Sequence, residues 1–245
     1  MPRFFIENVT GDYITIDGQD AAHITKSLRM KPGETLTVCG GQGLDYRCEI
    51  AEIGEGTVGL RVLERVPTES EPSLRVTLYQ GLPKGDKLEL IIEKSIELGV
   101  SGIVPVLMRR SVSRPDGKSA AKKHERYQKL ALSAAKQCGR GLIPDVEEML
   151  DFGQMLRRLS GHGAAVFFYE CGGSPLPSVM ERVIADGITD VAIVIGPEGG
   201  FDPDEAQALR QAGAVTATLG KRILRTETAP LAAIAAMMYA TGNLG

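Results

Sequence analysis

The fold is decided by the C-terminal stretch of residues 191–228, which reads VAIVIGPEGGFDPDEAQALRQAGAVTATLGKRILRTET. Two apolar runs, 190–195 and 214–218, each lead into a glycine-marked turn, and short apolar runs bounded by turn residues are typical of buried strands. A helical pattern follows each turn, at 203–212 and at 227–241. We therefore predict two neighbouring parallel strands that end in adjacent loops, where open α/β sheets bind their ligands.

Strand and helix patterns alternate through the whole region from residue 73 to residue 245. This alternation predicts a mostly parallel sheet that is covered by helices on both faces. Gly99 and Gly139 follow two of the helical patterns and are expected to end them. The predicted strands are 76–80, 103–107 and 165–169, and the predicted helices are 86–98, 124–137, 151–159 and 177–185.

The first 66 residues are instead rich in short alternating runs separated by glycine or aspartate turns. They predict a small β-barrel that acts as a binding module. The polar, proline-framed run 67–72 marks the boundary, so that the predicted domains are 1–70 and 73–245. The predicted strands are 4–6, 13–16, 35–38, 45–53 and 58–66, with a helix at 21–28 capped by Asp20.

Composition excludes several classes of protein. No apolar run reaches the roughly 20 residues of a membrane span, and no signal peptide is recognisable at the start. The four cysteines are scattered without CxxC spacing and the three histidines are isolated, so neither a disulfide framework nor a metal site is expected. This pattern is typical of a cytoplasmic protein with free thiols.

Positive charge is concentrated in the segment 107–140, although the whole chain has a net charge of −3. The segment carries ten basic residues and two acidic ones, which is a plausible footprint for the phosphates of a nucleic acid. The alternative is a solvated basic helix and loop. The cations predicted to bind RNA there are Arg109, Arg110, Arg114, Lys122, Lys123, Arg126, Lys129, Lys136 and Arg140.

The first of the two C-terminal turns is rich in glycine. Gly196, Gly199 and Gly200 would let the backbone approach a ligand closely and point its N–H groups at it. The alternative is a tight structural connection between strand and helix. The turn contains neither GxxxxGK[ST] nor GxGxxG, so it is not a Walker-type phosphate loop or a dinucleotide fingerprint.

The second turn places Ile223 and Leu224 between basic residues. Apolar residues in a loop indicate that something flat and apolar packs there, such as a nucleobase; the alternative is that they pin the loop to the core. Thr226 or Thr228 is predicted to cap the final helix, with Pro230 in its first turn.

Both turns together resemble a known family. The motifs GPEGGF at 196–201 and LGKRILRTETA at 219–229, in this order, resemble the bacterial ribosomal RNA small-subunit methyltransferase E family of the knotted SPOUT superfamily. Shorter segments extend the resemblance over nearly the whole chain, at 2–5, 23–33, 87–100, 110–112 and 137–140. Lys221 stands where this family often has proline.

The resemblance implies an α/β fold in which a small PUA-like β-barrel domain precedes a SPOUT methyltransferase domain. The implied methyltransferase domain has a mostly parallel sheet and a C-terminal trefoil knot. The implied cofactor is S-adenosylmethionine, bent within the knotted loops, and the implied product is 3-methyluridine in 16S rRNA of the small ribosomal subunit. Members of the family are homodimers with the site near the subunit interface.

The chemistry of this reaction suggests roles for individual residues. Arg225, always charged and rich in donors, is the candidate for stabilising the uridine anion, while Glu198 would orient the substrate or take its proton. Arg29 and Arg222 are predicted to add RNA contacts. The residues expected around the cofactor are Tyr169, Glu170, Ile195, Gly196, Pro197, Glu198, Gly199, Gly200, Leu219, Gly220, Ile223, Leu224 and Thr228.

Two other functions stay open at this point. One is a SPOUT enzyme that methylates a ribose 2′-OH or a different base. The other is a ribosome assembly factor without catalysis, which the basic segment and the small barrel alone would permit. The pair of intact loops argues against a pure binding protein, which would not need them.

Overall fold

The computed structural model describes residues 2–6, 9–41 and 43–244, and the chain forms two compact units. The first unit comprises Met1–Glu71 together with Ala135–Ile143, and the second comprises Pro72–Ala134 and Pro144–Gly245. Met1 and Gly245, which begin and end the two predicted domains, lie outside the described residues.

The first unit is built on a curled, five-stranded sheet with the strand order β1-β3-β4-β5-β2. Alternation of apolar and polar residues places one face inward, as Ile14 and Ile16 of the second strand show. Two irregularities in the register between the long strands β4 and β5 add the twist that curls the sheet. The strands are β1 (Arg3–Phe5), β2 (Tyr13–Asp17), β3 (Thr35–Cys39), β4 (Leu44–Ile53) and β5 (Thr57–Pro67).

The predicted helix of the first unit exists, but its predicted cap is wrong. Helix α1 (Gly18–Ala22) continues into a π-helical turn (His23–Ser27), and Asp17 occupies the N-cap position without a side-chain cap bond. Asp20 lies inside the first turn, where both its carboxylate oxygens accept hydrogen bonds of 3.1 Å from the Lys136 ammonium group. The Asp20 carboxylate therefore pairs with the Lys136 ammonium group instead of capping the helix.

The second unit contains a sheet with the strand order β11-β13-β10-β12-β6-β7-β8, and every described pairing in it is parallel. The strands are β6 (Arg75–Gly81), β7 (Gly102–Leu107), β8 (Asp145–Val146), β9 (Leu150–Asp151, paired with β7), β10 (Ala164–Phe168), β11 (Ser174–Pro175), β12 (Asp190–Ile195) and β13 (Val215–Thr218).

One prediction about this sheet is wrong. Strands β12 and β13 are not neighbours, because β10 lies between them and pairs with both. An apolar run indicates that a strand is buried but not which strand it pairs with. Since all three strands run in parallel, their carboxyl ends still meet at one edge of the sheet.

Helices cover both faces of this sheet, as the alternation predicted. On one face, α4 and α6 pack against a core that includes Val194 and Phe167; on the other, α7 contacts β6, α2 and α5. The helices are α2 (Lys87–Glu97), α3 (Gly117–Cys138), α4 (Phe152–Leu159), α5 (Leu176–Ala185), α6 (Pro203–Gln211) and α7 (Ala229–Ala240).

Helix α3 begins seven residues before its predicted start at 124. The Asp116 carboxylate accepts a 2.8 Å hydrogen bond from the backbone N–H of Ser119, which satisfies an otherwise unpaired donor of the first turn. Apart from two alanines, the first turns consist of glycine, serine and lysine, which is why hydrophobic periodicity did not reveal them. Gly99 and Gly139 end their helices as predicted, with φ of +96° and +76°.

No helix in the described part of the chain is both long enough and apolar enough to cross a membrane. Strand pairing does not define how a chain is threaded, so the trefoil knot stays a prediction.

Candidate active site

A cavity of about 550 Å³ opens at the carboxyl edge of the parallel sheet of the second unit. Its volume lies in the range of roughly 300–1,000 Å³ that small-molecule sites occupy. Three strands lead into its walls: Tyr169 and Glu170 follow β10, residues 196–201 follow β12, and residues 219–226 follow β13. We name residues 196–201 the first loop and residues 219–228 the second loop. Of the residues predicted to surround a cofactor, Thr228 alone is not in the lining of this cavity.

The conformation of the first loop requires glycine at residue 200. Gly200 has φ of +67°, and its N–H closes a turn by donating a 2.9 Å hydrogen bond to the Pro197 carbonyl oxygen. A Cβ atom there would also collide with the Glu170 carboxylate, which therefore lies directly over the loop. Phe201 anchors the loop in the core by an edge-to-face contact with Phe167, at 5.6 Å between ring centroids.

Tyr169 is held in the cavity wall by neighbours on both sides. The Arg210 guanidinium lies 5.4 Å from the centre of its ring, and the Phe201 ring contacts it at 6.2 Å. The wall after β10 is therefore a preorganised aromatic surface next to an acidic side chain.

The prediction that Thr226 or Thr228 caps the final helix is confirmed only for the position of Thr228. Thr228 is the N-cap residue of α7 but makes no side-chain cap bond. The buried Thr226 hydroxyl instead donates a 2.8 Å hydrogen bond to the Gly196 carbonyl oxygen and accepts one of 3.0 Å from Gln80 Nε2. Pro230 does lie in the first turn of α7, as predicted. Thr226 thus joins the two loops.

The segment between β6 and α2 completes the site, although none of the predicted site residues lies in it. The Lys84 backbone N–H donates a 3.0 Å hydrogen bond to Glu198 Oε1. The Lys87 ammonium group lies 3.2 Å from Glu198 and 3.3 Å from Glu227, so that one cation pairs with a carboxylate of each loop. The available signal was Gly85, a turn residue between α2 and β6, the strand that pairs directly with β12.

This network keeps Glu198 ionised. Burial raises the pKa of Glu198, but hydrogen bonds from the backbone N–H of Lys84 and from its own N–H, together with Lys87, outweigh burial and lower it. The pKa of Lys87 is raised, chiefly by its bond to Glu198, against the opposing effect of burial. Both side chains therefore carry charge at neutral pH, and Glu198 is a weak base.

We expect the Glu198→Gln variant to lose the free energy of unfolding that the ionised Glu198 carboxylate contributes. Because folding lowers the pKa of Glu198, the ionised group stabilises the folded state above its unfolded pKa of 4.5, and this contribution disappears as pH falls through the folded value. Urea unfolding at pH 7 and below pH 4 should show a wild-type advantage that is larger at pH 7. Glu148→Gln, at an exposed glutamate of the same unit, is the control. An equal advantage at both pH values would contradict the expectation.

Arg225 lies at the rim of the cavity and is exposed. Its carbonyl oxygen accepts hydrogen bonds from the N–H groups of Thr228 and Ala229, at 2.8 and 2.9 Å. No described residue pairs with its guanidinium group. Nearby, Ile223 is 85% exposed and Leu224 is half-buried, so Ile223 does not pin the loop to the core. The rim presents an uncompensated cation beside an apolar surface.

The basic segment contains both paired and unpaired cations. Arg109 pairs with Asp202 and Asp204, Arg110 donates to the Gly199 carbonyl oxygen, and Arg126 pairs with Glu89. Lys136 pairs with Asp20, and Arg140 is buried against Glu71. The Arg114 guanidinium donates to the carbonyl oxygens of Met108 and Arg109. No described acidic residue pairs with Lys122, Lys123, Lys129, Arg222 or the first unit's Arg29.

The described residues contain no group of three or more His, Cys, Asp or Glu side chains that could hold a metal ion.

Two family models match successive parts of the chain. Residues 69–238 match the model described as an RNA methyltransferase domain, and residues 16–63 match the model described as an RNA methyltransferase PUA domain. The parallel sheet, its strand-end cavity and these two matches define the class as an RNA methyltransferase with an N-terminal PUA domain.

Full-length relatives define the family more closely. A ribosomal RNA small subunit methyltransferase E from Bacillus subtilis is 37% identical over 98% of this chain and 97% of its own length. The Mycobacterium tuberculosis protein with the same name is 34% identical over 98% of this chain and 92% of its own length. A Neisseria gonorrhoeae enzyme of that name, solved with S-adenosyl methionine bound, superimposes with a TM-score of 0.84 at 32% identity, covering 98% of this chain and 97% of its own. The chain belongs to the ribosomal RNA small subunit methyltransferase E family.

Proposed function

We propose that this protein transfers the methyl group of S-adenosylmethionine to N3 of a specific uridine in 16S rRNA of the small ribosomal subunit. The observation that carries the proposal is the cavity between the two loops, with the unpaired Arg225 at its rim. It lies in a chain that aligns over nearly its full length with ribosomal RNA small subunit methyltransferases E. The reaction would take place in the cytoplasm, where the small subunit is available.

The residues around the cavity suit this cofactor. A volume of about 550 Å³ accommodates a nucleoside with an amino-acid tail. The Glu170 carboxylate in the cavity wall would supply negative charge near a sulfonium cation, and the glycine backbone of the first loop can approach the ligand closely. Leu219, Leu224 and Tyr169 offer backbone and apolar contacts to the adenosine portion. The bound cofactor supplies a methyl group already activated by the sulfonium, so the protein mainly aligns donor and acceptor.

Arg225 would make the acceptor reactive. Uridine N3 becomes a good nucleophile once its proton leaves, and the negative charge then spreads to O2 and O4. A guanidinium group without another partner can donate hydrogen bonds to one of these oxygens as the charge develops. Because no described carboxylate neutralises it, its full charge is available for this purpose.

Glu198 would position rather than deprotonate the substrate. Its pKa is lowered by the Lys84 and Lys87 contacts that outweigh burial, and a weaker base gains less from taking the N3 proton. The N3 proton would therefore leave to water. Glu198 would hold the first loop against the β6–α2 segment through the same contacts.

RNA would approach the rim along the unpaired cations. A Watson–Crick pair hides N3, so the target nucleotide must be single-stranded or extruded. Arg222 lies in the second loop beside Arg225, and Lys122 and Lys129 lie on α3. The paired cations Arg109, Arg126 and Lys136 would contribute less, because acidic side chains already compensate their charge.

We expect Lys122→Ala and Lys129→Ala each to weaken RNA binding and to reduce the slope of log K against log salt concentration by about one. Fluorescence anisotropy with a fragment of small-subunit rRNA over a salt series measures both effects. Arg126→Ala is the matched comparison: Glu89 already neutralises that guanidinium, so its slope should change less. Equal slopes for all three variants and the wild type would show that α3 does not contact the RNA.

The protein would act as a homodimer. Helix α7 contains no charged residue and is apolar on all sides: Ile234 and Met237 face the core, while Tyr239 is 76% exposed. A helix that is apolar all round is typical of one covered on both sides. Since α7 follows the second loop directly, a partner seated on it would lie beside the active site.

We expect Tyr239→Arg to shift the protein from dimer to monomer, because a buried, unpaired guanidinium in an apolar interface is strongly unfavourable. Light scattering coupled to size exclusion measures the mass directly. Ile184→Arg, at a half-exposed residue of α5, introduces the same charge on another helix and should leave the mass unchanged. A monomeric wild type, or a dimeric Tyr239→Arg protein, would contradict the proposed interface.

The proposed reaction is tested by incubating the protein with labelled S-adenosylmethionine and either naked 16S rRNA or assembled small subunits. Mass spectrometry of the digested nucleosides should show 3-methyluridine. A 2′-O-methylated nucleoside or another methylated base would indicate a different enzyme of the superfamily. If calorimetry detects no cofactor binding and no label is transferred, the protein is a non-catalytic binding factor.

A further inference from the structure

A chain of buried hydrogen bonds connects β6 to both loops of the active site. Gln80 is fully buried at the carboxyl end of β6, and its amide nitrogen donates 3.0 Å hydrogen bonds to the Gly81 carbonyl oxygen and to the Thr226 hydroxyl. The Thr226 hydroxyl in turn donates to the Gly196 carbonyl oxygen at 2.8 Å. Among the described residues, this Thr226–Gly196 bond is the only hydrogen bond between the first loop and the second loop.

Residue 80 must supply a hydrogen-bond donor because the Thr226 hydroxyl already donates its proton elsewhere. A hydroxyl carries a single proton, and the proton of Thr226 is committed to Gly196. Any further partner of that oxygen must therefore be a donor, and the Gln80 NH₂ group is one. Turning the amide over would place two acceptors against each other and would break the chain.

This arrangement has a cost that stability does not explain. Gln80 Oε1 is buried and has no hydrogen-bond partner among the described residues. An unpaired buried acceptor is unfavourable, and an apolar side chain of similar size would avoid the penalty. Groups that are retained at a cost to stability are concentrated at functional sites.

We infer that Gln80 and Thr226 are positioning residues, which fix the spacing of the two loops and thereby the shape of the cofactor cavity. The inference rests on the proposed function, since it concerns the same cavity. Thr226 is the point where the second loop returns to the buried core, between the exposed Arg225 and the start of α7. Without this link, the backbone of residues 219–225 would no longer be held at a set distance from Gly196.

The test compares Gln80→Leu, Thr226→Val and the double variant with the wild type. Thr226→Val keeps the shape of the side chain and removes both hydrogen bonds; Gln80→Leu removes the donor and the unpaired oxygen together. Each is expected to raise the Kd for S-adenosylmethionine in calorimetry about tenfold, because the second loop would no longer hold its side of the cavity in place. Because they act through one chain, the double variant should be no worse than the poorer single variant.

Two further measurements separate positioning from general destabilisation. Gln80→Leu should bind the cofactor weakly although its Tm changes little, because losing the unpaired oxygen offsets the loss of two donated hydrogen bonds. Thr226→Ser keeps the hydroxyl and should bind the cofactor as the wild type does. Ser95→Ala is the matched control, because Ser95 Oγ is another buried, unpartnered polar atom, on α2 and away from both loops. This variant should leave the Kd unchanged.

The outcomes distinguish the two proposals. If the wild type itself does not bind S-adenosylmethionine, the proposed function fails. If the wild type binds and Gln80→Leu binds equally well, or if the effects of the two substitutions add, the positioning role is overturned. Should Thr226→Val not fold, the Gln80→Leu protein alone decides the question.

Discussion

The Arg225→Ala variant is expected to transfer methyl groups about a hundred to a thousand times more slowly than the wild type, as enzymes do when a donor to a developing oxyanion is removed. The Arg225 guanidinium is exposed at the rim and has no acidic partner among the described residues, so its charge is available to the uridine. The Kd for S-adenosylmethionine should change by less than several-fold, because the proposed contact of Arg225 is with the base.

Single-turnover transfer with saturating RNA and labelled cofactor measures the rate, and calorimetry measures the affinity. Arg225→Lys keeps the charge but loses the forked donor geometry, so it should recover part of the rate only. Arg157→Ala, at an exposed arginine of α4, controls for the loss of one surface charge. Wild-type turnover in Arg225→Ala would rule out Arg225 as the group that activates uridine.

The Gly81→Ala variant is expected to bind S-adenosylmethionine at least about tenfold more weakly, which corresponds to about 1.4 kcal/mol. A Cβ atom on Gly81 would lie 2.6 Å from the backbone nitrogen and Cδ of Pro197, and 2.9 Å from the Gly196 carbonyl carbon. These are backbone and ring atoms, so the first loop itself must move to make room. Such overpacking should also lower the free energy of unfolding by roughly 1–3 kcal/mol.

Gly102→Ala provides a close control for this substitution. Gly102 also lies in a strand of the same parallel sheet, and a Cβ there would meet only the Asp145 carbonyl oxygen at an ordinary 3.7 Å. Calorimetry and thermal unfolding of both variants should show a loss of affinity for Gly81→Ala alone. Equal affinities would mean that the close approach of β6 to the first loop does not shape the cavity.

Most secondary structure and much of the cavity lining could be predicted from the sequence. The apolar run at 190–195 is β12 to the residue, and the helix at 203–212 ends one residue earlier than predicted. Glycines at strand ends identified both loops, because a turn in which the backbone approaches a ligand is locally rich in glycine. These features depend on neighbours along the chain.

The errors concern partners that are distant in sequence. Strand β10 lies between β12 and β13, and Asp20 pairs with Lys136 instead of capping a helix. Of the two threonines predicted as caps, Thr228 takes the N-cap position without a cap bond, while Thr226 bonds to Gly196 and Gln80. In each case a polar or strand-forming residue had a plausible local role, and a distant partner gave it another.

The amino-acid sequence by itself determined that this protein has a β-rich unit followed by an α/β unit, with a basic segment at 107–140 and, after it, two glycine loops at strand ends. These features could be read from the sequence because periodicity and turn chemistry are local. Only the tertiary structure decided which cations remain free, that the β6–α2 segment completes the site, and that Lys87 and Thr226 hold the loops together. The physical reason is that ion pairs and buried hydrogen bonds depend on distances of about 3 Å between groups that folding alone brings together.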